Sequence, residues 1–310
     1  MSSAVGIACD APIVESIEAA LAHKPDALLL GTAWSGGKLP QAWRQDIIKA
    51  IKSGLHIVNG LHDFLNEDEE MAALATKHGV TLFDVRKAPD NLPVANGLTL
   101  KEKALIVLTV GSDCSVGKMT TTLEIQKSAA KKSVASEFVA TGQTGIMIAG
   151  TGIAIDRVIG DFMAGATEKM VLEAAKKADL VLVEGQGSIA HPGFSGVTLA
   201  LLHGSAPQAL VLCHRPARKN IKNTIFPIAD LNRLIASYES VGSYLRPTKV
   251  VAIALNTQDL SEEEARQAIT ETTAHTGLPA TDPVRFGADV LFEAIHPLLN
   301  EIKAPILSSK

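Results

Sequence analysis

Short apolar runs alternate with longer amphipathic stretches along most of the chain. Each apolar run has the length of a strand, because buried strands usually span about 4–8 residues. Strands are predicted at 26–30, 55–60, 80–85, 104–110, 136–140, 180–184, 208–213 and 249–255. Helices are predicted from residue 40 onward and at 67–78, 118–131, 153–177, 228–238, 261–275 and 287–302. Strands that alternate with helices indicate βαβ units and therefore parallel sheets.

The alternation is interrupted once, at residues 87–97. This segment contains two prolines and two asparagines and has no periodic apolar face, which is typical of a linker. The pattern then resumes at 104–110, where the run is almost entirely apolar, as expected for a central strand of a parallel sheet. We therefore predict two α/β domains in tandem, residues 1–98 and 99–310.

Composition and charge exclude several classes of protein. Hydrophobic residues make up 46 % of the 310 residues and charged residues 20 %, which excludes a wholly disordered chain. The formal net charge is −4 without a long basic run, so we expect no nucleic-acid partner. Cys9, Cys114 and Cys213 show no CxxC spacing and indicate neither a disulfide framework nor a zinc site. With no secretory signal pattern and no apolar run near ~20 residues, we expect a cytoplasmic protein without a membrane partner.

A glycine-containing loop lies between the predicted strand 104–110 and the predicted helix 118–131. Loops in this context bind phosphate, because backbone N–H groups surround the oxygens and the helix N-terminus adds its positive dipole. Lys118 supplies a point charge. The residues that we assign to phosphate and cofactor binding in this loop are Gly111, Ser112, Cys114, Ser115, Val116, Gly117, Lys118, Met119 and Thr120.

This loop departs from the usual phosphate-loop pattern at two positions. Ser112 replaces the first glycine, and Met119 stands where a hydroxyl normally ligates Mg²⁺. A thioether is a poor ligand for that hard cation. Thr120 lies about 100° further around the helix than Met119, and the sequence leaves open whether its hydroxyl replaces the missing Mg²⁺ ligand. We therefore expect an anion site without a bound metal.

Three residues are candidates for proton transfer. Glu184 ends a buried strand and precedes a glycine-rich turn, where a side chain faces the ligand crevice of a parallel sheet. Without a metal to hold, its carboxylate can act as a general base. His191 follows in the same loop, and Asp113 is a third candidate. The alternatives are a solvated carboxylate at a strand end and an ordinary packed histidine.

Two further polar segments follow predicted strands. The segment 141–145 is interpreted as a second ligand loop, with Thr141 and Gln143 as cofactor-binding residues. A cationic group follows the strand 208–213 and can meet phosphates or form only a solvated face. It consists of Arg215, Arg218, Lys219 and Lys222.

The phosphate loop and the turn 183–188 together resemble the P-loop class that contains dethiobiotin synthetase. The whole chain is similar to a family, long catalogued without a function, that includes D-glutamate N-acetyltransferases. The segments that carry this resemblance are 31–40, 59–65, 83–89, 111–121, 141–145, 154–165 and 183–196. The resemblance implies an α/β fold with a Rossmann-like parallel-sheet domain followed by a P-loop NTPase-like parallel-sheet domain. We also expect self-association as a homo-oligomer.

The resemblance further implies acetyl transfer from acetyl-CoA to the amino group of D-glutamate, in D-amino-acid catabolism. The phosphate loop would then hold the phosphates of CoA, and backbone N–H groups of the turn 185–188 would stabilise the oxyanion. A dicarboxylate acceptor needs cations, and Arg86 can bind a carboxylate bidentately unless it forms a structural ion pair. Asp84 would hold the substrate ammonium. The remaining predicted substrate contacts are Gly37, Lys38, Asn59 and His62.

Two other functions are compatible with the same motifs. One is an ATP- and Mg²⁺-dependent carboxylate ligase or kinase, in which Thr120 would replace the missing hydroxyl. The other is a nucleotide-sensing module without turnover. Met119 argues against the first, and the second predicts tight binding without a product.

Overall fold

The computed structural model describes residues 11–31 and 37–303. Cys9 and the middle of the predicted loop 31–40 lie outside the described residues. The chain divides into two compact units, Met1–Lys87 and Ala88–Lys310. Within the described ranges, no helix has the length and apolar character that crossing a membrane requires.

The N-terminal unit contains a three-stranded parallel sheet in the order β1-β2-β3. Its core is aliphatic and lies between the sheet and the helices that follow β1 and β2. The strands are β1 (Ala27–Leu30), β2 (His56–Asn59) and β3 (Leu82–Asp84). The helices are α1 (Ile17–Leu21), α2 (Gln41–Lys52) and α3 (Glu69–His78), with a 3₁₀ turn at Leu65–Glu67.

The C-terminal unit contains a six-stranded parallel sheet in the order β5-β6-β4-β7-β8-β9. The strands are β4 (Leu105–Gly111), β5 (Ser136–Val139), β6 (Leu180–Val183), β7 (Ala209–His214), β8 (Lys249–Leu255) and β9 (Ala280–Thr281). The helices are α4 (Lys118–Lys131), α5 (Gln143–Ala149), α6 (Gly160–Ala175), α7 (Ser195–Ser205), α8 (Leu231–Gly242), α9 (Glu262–Thr276) and α10 (Asp289–Lys303). Two 3₁₀ turns occur at Leu98–Lys101 and Ile155–Arg157.

Strand β4 lies between two hydrophobic cores. Ile106 and Leu108 face the core formed with α6, α7 and α8, whereas Leu105 and Val107 face the core formed with α4 and α10. All residues of β4 are buried, which explains its almost continuous apolar sequence. The loop that follows β4 therefore begins at the centre of the sheet, where loops after neighbouring strands can reach it.

The predicted α/β class with parallel sheets is confirmed, and every predicted strand is present. Two local predictions are wrong. The predicted helix 153–177 is a 3₁₀ turn followed by α6, and the predicted loop 141–145 continues from residue 143 into α5. The sequence analysis also missed α1, α7 and β9. Helix α7 is apolar around its circumference and gives no helical period, and β9 has only 2 residues.

The segment 88–98 packs on helix α6 of the C-terminal unit. The buried Glu168 carboxylate accepts hydrogen bonds from the N–H groups of Asn96 (3.0 Å) and Leu98 (2.7 Å). The segment passes so close to the helix that a Cβ on Gly165 would lie 1.8 Å from the Pro93 carbonyl oxygen. This segment therefore groups with the C-terminal unit, which begins at Ala88.

Replacing Glu168 by alanine should lower the free energy of unfolding by about 1–3 kcal/mol, because two backbone N–H groups lose their acceptor. Denaturant titration of the two proteins measures the change. Glu173→Ala, on the exposed face of the same helix, is the control and should stay within about 0.5 kcal/mol of the unchanged protein. Equal effects of the two substitutions would contradict the anchoring role of Glu168.

Candidate functional site

The loop between β4 and α4 has the backbone geometry of an anion site. Ser115 and Gly117 adopt positive φ angles of 53° and 99°, which turn successive N–H groups toward one side. Among the described residues, no acceptor binds the N–H groups of Ser115, Val116 and Gly117. Since α4 begins at Lys118, its positive dipole end adds to these donors.

Lys118 lies beneath this loop and is almost fully buried. Its Nζ donates to the backbone carbonyl of Asp113 over 2.9 Å. Burial lowers the pKa of the Lys118 ammonium, while nearby groups, including the Cys114 and Cys213 thiols and the Asp113 carboxylate, act in the opposite direction. A buried ammonium next to unpaired N–H groups is suited to a phosphate, which would restore its lost solvation.

Arg218 holds the outer side of the loop. Its guanidinium donates to the carbonyl oxygens of Cys114 (2.5 Å) and Ser115 (3.3 Å). In a trans peptide the C=O and N–H groups point in opposite directions. These contacts therefore direct the N–H groups of Ser115 and Val116 away from Arg218. The predicted cationic group thus reaches the loop, although Arg215 pairs with Asp259 instead.

Asp113 anchors the same outer side. One carboxylate oxygen pairs with Arg218 at 2.8 Å and accepts the N–H of Lys222 at 2.7 Å. The other oxygen accepts the N–H of Cys114 at 2.7 Å. Asp113 is fully buried, and each carboxylate oxygen already accepts a hydrogen bond. This geometry favours a loop-positioning role over the predicted role as a base.

Glu184 lies at the carboxyl end of β6, beside β4, and is also buried. Its Oε2 accepts the N–H groups of Thr141 (2.9 Å) and Gly142 (3.1 Å), just before α5. The carboxylate fits only because residue 145 is glycine, since a Cβ there would lie 2.3 Å from Oε2. Thr141 also donates from its hydroxyl to the Glu184 carbonyl (2.8 Å) and so serves to position Glu184.

Burial raises the pKa of Glu184 to about 7, although the hydrogen bonds from Thr141 and Gly142 and the charge of Lys118 lower it. A carboxyl group with this pKa exchanges its proton near neutral pH, which is the property that a general base needs. Gln186 supports the site from the following turn, because its side-chain amide donates to the Thr141 carbonyl oxygen. Gln143, the first residue of α5, is half-buried at the same end of the sheet.

His191, the second predicted base, is held by hydrogen bonds on both ring nitrogens. Its Nδ1 accepts the N–H of Gly193 at 3.0 Å, and its Nε2 donates to the Lys222 carbonyl at 3.3 Å. The ring packs on Phe194 with 4.5 Å between centroids. Because Nδ1 accepts a hydrogen bond here, the tautomer with hydrogen on Nε2 satisfies both contacts. These contacts favour Glu184 over His191 as the base.

Possible metal ligands also meet near the loop. One ligand atom each from Asp113, Cys114 and His191 lies within 4.8 Å of the others. Burial raises the pKa of the Cys114 thiol, which opposes formation of the thiolate that a metal would need. Arg218 already pairs with the carboxylate and would repel a cation. We assign no metal to this group.

Tyr238 and His214 make contacts within the site that the sequence analysis missed. The buried Tyr238 hydroxyl donates to the Gly111 carbonyl at 2.7 Å and accepts the N–H of Ile189 at 3.0 Å. It therefore ties the start of the phosphate loop to the turn after Glu184. His214 Nδ1 lies 2.9 Å from the Ser112 hydroxyl, and burial lowers its pKa to about 4, so the ring is neutral. Neither contact corresponds to a recognisable sequence motif, because each joins residues that are far apart in the chain.

In the N-terminal unit, Asp84 and Asn59, two of the predicted substrate-binding residues, form hydrogen bonds with other residues of the same unit. Asp84 accepts from Asn59 Nδ2 (2.7 Å), from Leu65 N (3.0 Å), and from both the backbone N–H and side chain of Asn66 (3.1 and 2.7 Å). Asn59 also accepts the N–H of Leu61. These contacts fix the loops after β2 and β3, and they disfavour Asp84 as the partner of a substrate ammonium.

The other predicted substrate residues lie at the same end of this sheet. Arg86 is buried and donates from Nε to the Gly60 carbonyl at 2.8 Å. The N–H of His62 donates to the Gly37 carbonyl at 2.7 Å, and Lys38 is exposed beside it. Carboxylate binding by Arg86 stays a prediction.

Comparison with known proteins places this architecture in a family. A domain of unknown function with a Rossmann-like fold, the N-terminal domain of DUF1611, matches residues 1–88. The P-loop domain of DUF1611 matches residues 93–292. The chain belongs to the DUF1611 family.

Two named relatives and one solved structure are similar to this DUF1611 protein. A D-glutamate N-acetyltransferase of Tritonibacter scottomollicae is 40 % identical over 90 % of this chain and 84 % of its own length. One of a Pseudoalteromonas species is 40 % identical over 84 % of this chain and 78 % of its own. A DUF1611 protein from Anabaena variabilis is 45 % identical, with a TM-score of 0.92 over 96 % of this chain and 87 % of its own. The expected similarity to D-glutamate N-acetyltransferases is confirmed.

Proposed function

We propose that this protein is an N-acetyltransferase that moves the acetyl group of acetyl-CoA to the amino group of D-glutamate, in D-amino-acid catabolism. The relatives named D-glutamate N-acetyltransferase support the reaction class and this choice of acceptor. The N–H groups of Ser115, Val116 and Gly117, together with Lys118, form an anion site that we call the anion cradle. The structural observation that carries the proposal is this anion cradle beside a buried carboxyl group, that of Glu184, with a pKa of about 7. The cradle suits the diphosphate of CoA, and the carboxyl group suits proton transfer from an amine.

The chemical step requires a neutral amine. The Glu184 carboxylate accepts a proton from the acceptor ammonium, and the amine nitrogen then attacks the thioester carbonyl. The tetrahedral intermediate collapses with cleavage of the C–S bond, so that CoA leaves as a thiolate. The second proton of the attacking nitrogen is released, and the thiolate is protonated to the thiol. Acetyl-CoA and the amino acid thus give the N-acetyl amino acid and CoA.

Donors for the oxyanion are available in the turn after Glu184. The N–H of Gly185 is bonded to the Thr109 hydroxyl at 3.0 Å, and that of Ile189 to Tyr238. Among the described residues, the N–H groups of Gln186 and Gly187 have no acceptor. We assign the oxyanion role to these two groups because they adjoin the proposed base.

The position of Thr120 counts against the ligase or kinase alternative. Thr120 lines a cavity together with Asn256 and Arg285, on the side of the loop that faces β8 and β9. Glu184, the carboxylate that would face a metal, lies at β6 on the opposite side of β4. This position argues against a role of Thr120 in place of the hydroxyl that Met119 lacks.

Thiol release from acetyl-CoA tests the proposed function. The protein is incubated without ATP or Mg²⁺ and with D-glutamate, L-glutamate, D-aspartate or no acceptor. We expect release with D-glutamate alone, together with formation of N-acetyl-D-glutamate. Absence of release in every sample, followed by ADP formation once ATP and Mg²⁺ are added, would contradict the proposal and support the ligase.

A further inference from the structure

The two oxygens of the Glu184 carboxylate have different surroundings. Oε2 accepts the N–H groups of Thr141 and Gly142, whereas no donor in the described part of the chain reaches Oε1. The residue is only 6 % exposed, so little water can reach this oxygen. A buried oxygen without a donor is energetically costly, and a ligand that brings a donor removes this cost. Oε1 is therefore the atom of Glu184 that a donor on the acceptor would contact.

A second carboxylate lies close to this one. Asp156 belongs to the 3₁₀ turn Ile155–Arg157, and the N–H of Ile155 donates to the Thr141 carbonyl at 2.9 Å. Thr141 in turn donates its own N–H to Glu184, so the turn and the carboxylate are anchored to the same residue. The Oδ1 atom of Asp156 is shielded from solvent. Two acidic side chains, from different segments, thus meet at the carboxyl end of the sheet.

The segment that precedes Asp156 is fixed by packing. Ala154 and Ile155 are almost fully buried, and Ile155 belongs to the core formed with α6. Gly152 has a φ angle of 143°, and a Cβ at this position would lie 2.5 Å from the Ala140 carbonyl oxygen. Glycine therefore allows the chain to pass directly beside the end of β5. Because the position of Asp156 is set by internal contacts, the entropic cost of binding a ligand there is reduced.

The charges around Glu184 favour a cation at this place. Burial is the largest cause that raises the pKa of Glu184, and the negative charge of Asp156 raises it further. Like charges in a poorly solvated place repel each other unless a positive group lies between them. Lys118 also acts on Glu184, but its Nζ donates to the Asp113 carbonyl. The positive group that the proposed reaction brings to Glu184 is the ammonium of the acceptor.

We propose that Asp156 binds the ammonium group of the acceptor amino acid and directs it toward Oε1 of Glu184. This inference rests on the proposed function, and it gives Asp156 the role predicted for Asp84, whose oxygens are bonded within the N-terminal unit. Glu184 takes the proton that the ammonium releases, while Asp156 takes none and holds the nitrogen in place. The amide of the product carries no charge, so its attraction to Asp156 ends once the acetyl group is transferred. The contact that recognises the substrate therefore also favours release of the product.

Binding of two probes tests the assignment: D-glutamate, and glutarate, the dicarboxylate of the same length without an amino group. Asp156→Asn keeps the size of the side chain and removes its charge. It should raise the Kd for D-glutamate by roughly 10–100-fold, the range of a hydrogen bond between charged groups. Glutarate has no ammonium and should bind no more weakly than before. Asp161→Asn, which removes an exposed carboxylate in the first turn of α6, is the matched control and should change neither value.

Initial rates add a readout that a loss of stability would not imitate. In Asp156→Asn the KM for D-glutamate should rise, whereas the KM for acetyl-CoA should stay nearly unchanged. The charged side chains that act on Glu184 are Lys118 of α4 and Asp156. Removing the negative one lowers the pKa of Glu184, so the rise of kcat with pH should move to a lower pH. Asp161→Asn should leave the pH profile in place.

The outcomes separate this inference from the proposed function. If the unchanged protein acetylates D-glutamate and Asp156→Asn alters neither its Kd nor its KM, the inference fails and the proposed function stands. Equal losses for D-glutamate and glutarate would indicate a structural role and also overturn it. A requirement for a divalent cation in D-glutamate binding would assign the two carboxylates to a metal instead. Absence of D-glutamate acetylation by the unchanged protein would overturn both.

Melting temperatures identify a folding defect in these variants. Asp156→Ser also lacks the charge and replaces Asp156→Asn if that protein is misfolded. Asp156→Glu keeps the charge and should retain more of the affinity for D-glutamate than either of them. Affinity for D-glutamate relative to glutarate is compared within one sample, so a misfolded fraction lowers both equally and leaves their ratio unchanged.

Discussion

Replacing Glu184 by glutamine should lower kcat by roughly 10²–10⁴, the range that a positioned general base contributes. Glutamine keeps the size of the side chain and can still accept the N–H groups of Thr141 and Gly142, but it cannot take a proton. Thiol release under saturating substrates measures the effect. The KM for acetyl-CoA should change little, because the phosphate contacts lie in another loop.

The pH dependence provides a second measurement for the same substitution. Glu184 must be ionised to act as a base, and its pKa is about 7. The kcat of the unchanged protein should therefore rise as the pH increases through about 7 and level off above it. Glu184→Gln should remove that rise, whereas Glu173→Gln on the exposed face of α6 should retain it. A loss of less than tenfold with an unaltered pH profile would exclude Glu184 as the base.

Replacing Lys118 by alanine should raise the KM for acetyl-CoA by roughly 10–100-fold. Hydrogen bonds to charged groups contribute about 1.5–3 kcal/mol, and the buried Lys118 ammonium lies against the phosphate loop. The KM for D-glutamate should stay nearly unchanged. Lys127→Ala is the control, since Lys127 lies on the same helix with an exposed side chain that pairs with Glu124.

The KM for acetyl-CoA and the KM for D-glutamate together test whether Lys118 binds the acetyl donor. An increase confined to D-glutamate would place the acceptor, and not the donor, on the phosphate loop. A similar increase in Lys127→Ala would show that the general charge of α4 matters more than the contact to the loop. Initial rates over a grid of both substrates distinguish these results.

Much of the fold could be predicted from local pattern. Buried parallel strands are nearly continuous apolar runs, so every strand long enough to form such a run was found. The elements that were missed lack a local signal: β9 is 2 residues long, and α7 is apolar around its circumference. The sequence predicts a loop at the start of α5, because glycine and threonine residues usually mark turns.

The site was predictable only where one segment forms it. The phosphate loop is a contiguous strand–loop–helix sequence, and Glu184 follows a recognisable buried strand. The support of these groups comes from residues far away in sequence, as in the contact of Arg218 with Asp113 and of Tyr238 with Gly111. Those contacts show that Asp113 positions the phosphate loop. They cannot be predicted from the local sequence.

The packing of residues 88–98 on α6 has a consequence for gene recombination. Because Glu168 and Gly165 contact this segment, it should be kept together with the C-terminal unit when parts of two proteins are combined. A chimera that takes its N-terminal domain from another family member should therefore place the crossover before Ala88. A crossover near residue 98 would combine this segment from one protein with helix α6 from the other, and the hybrid should yield less soluble protein.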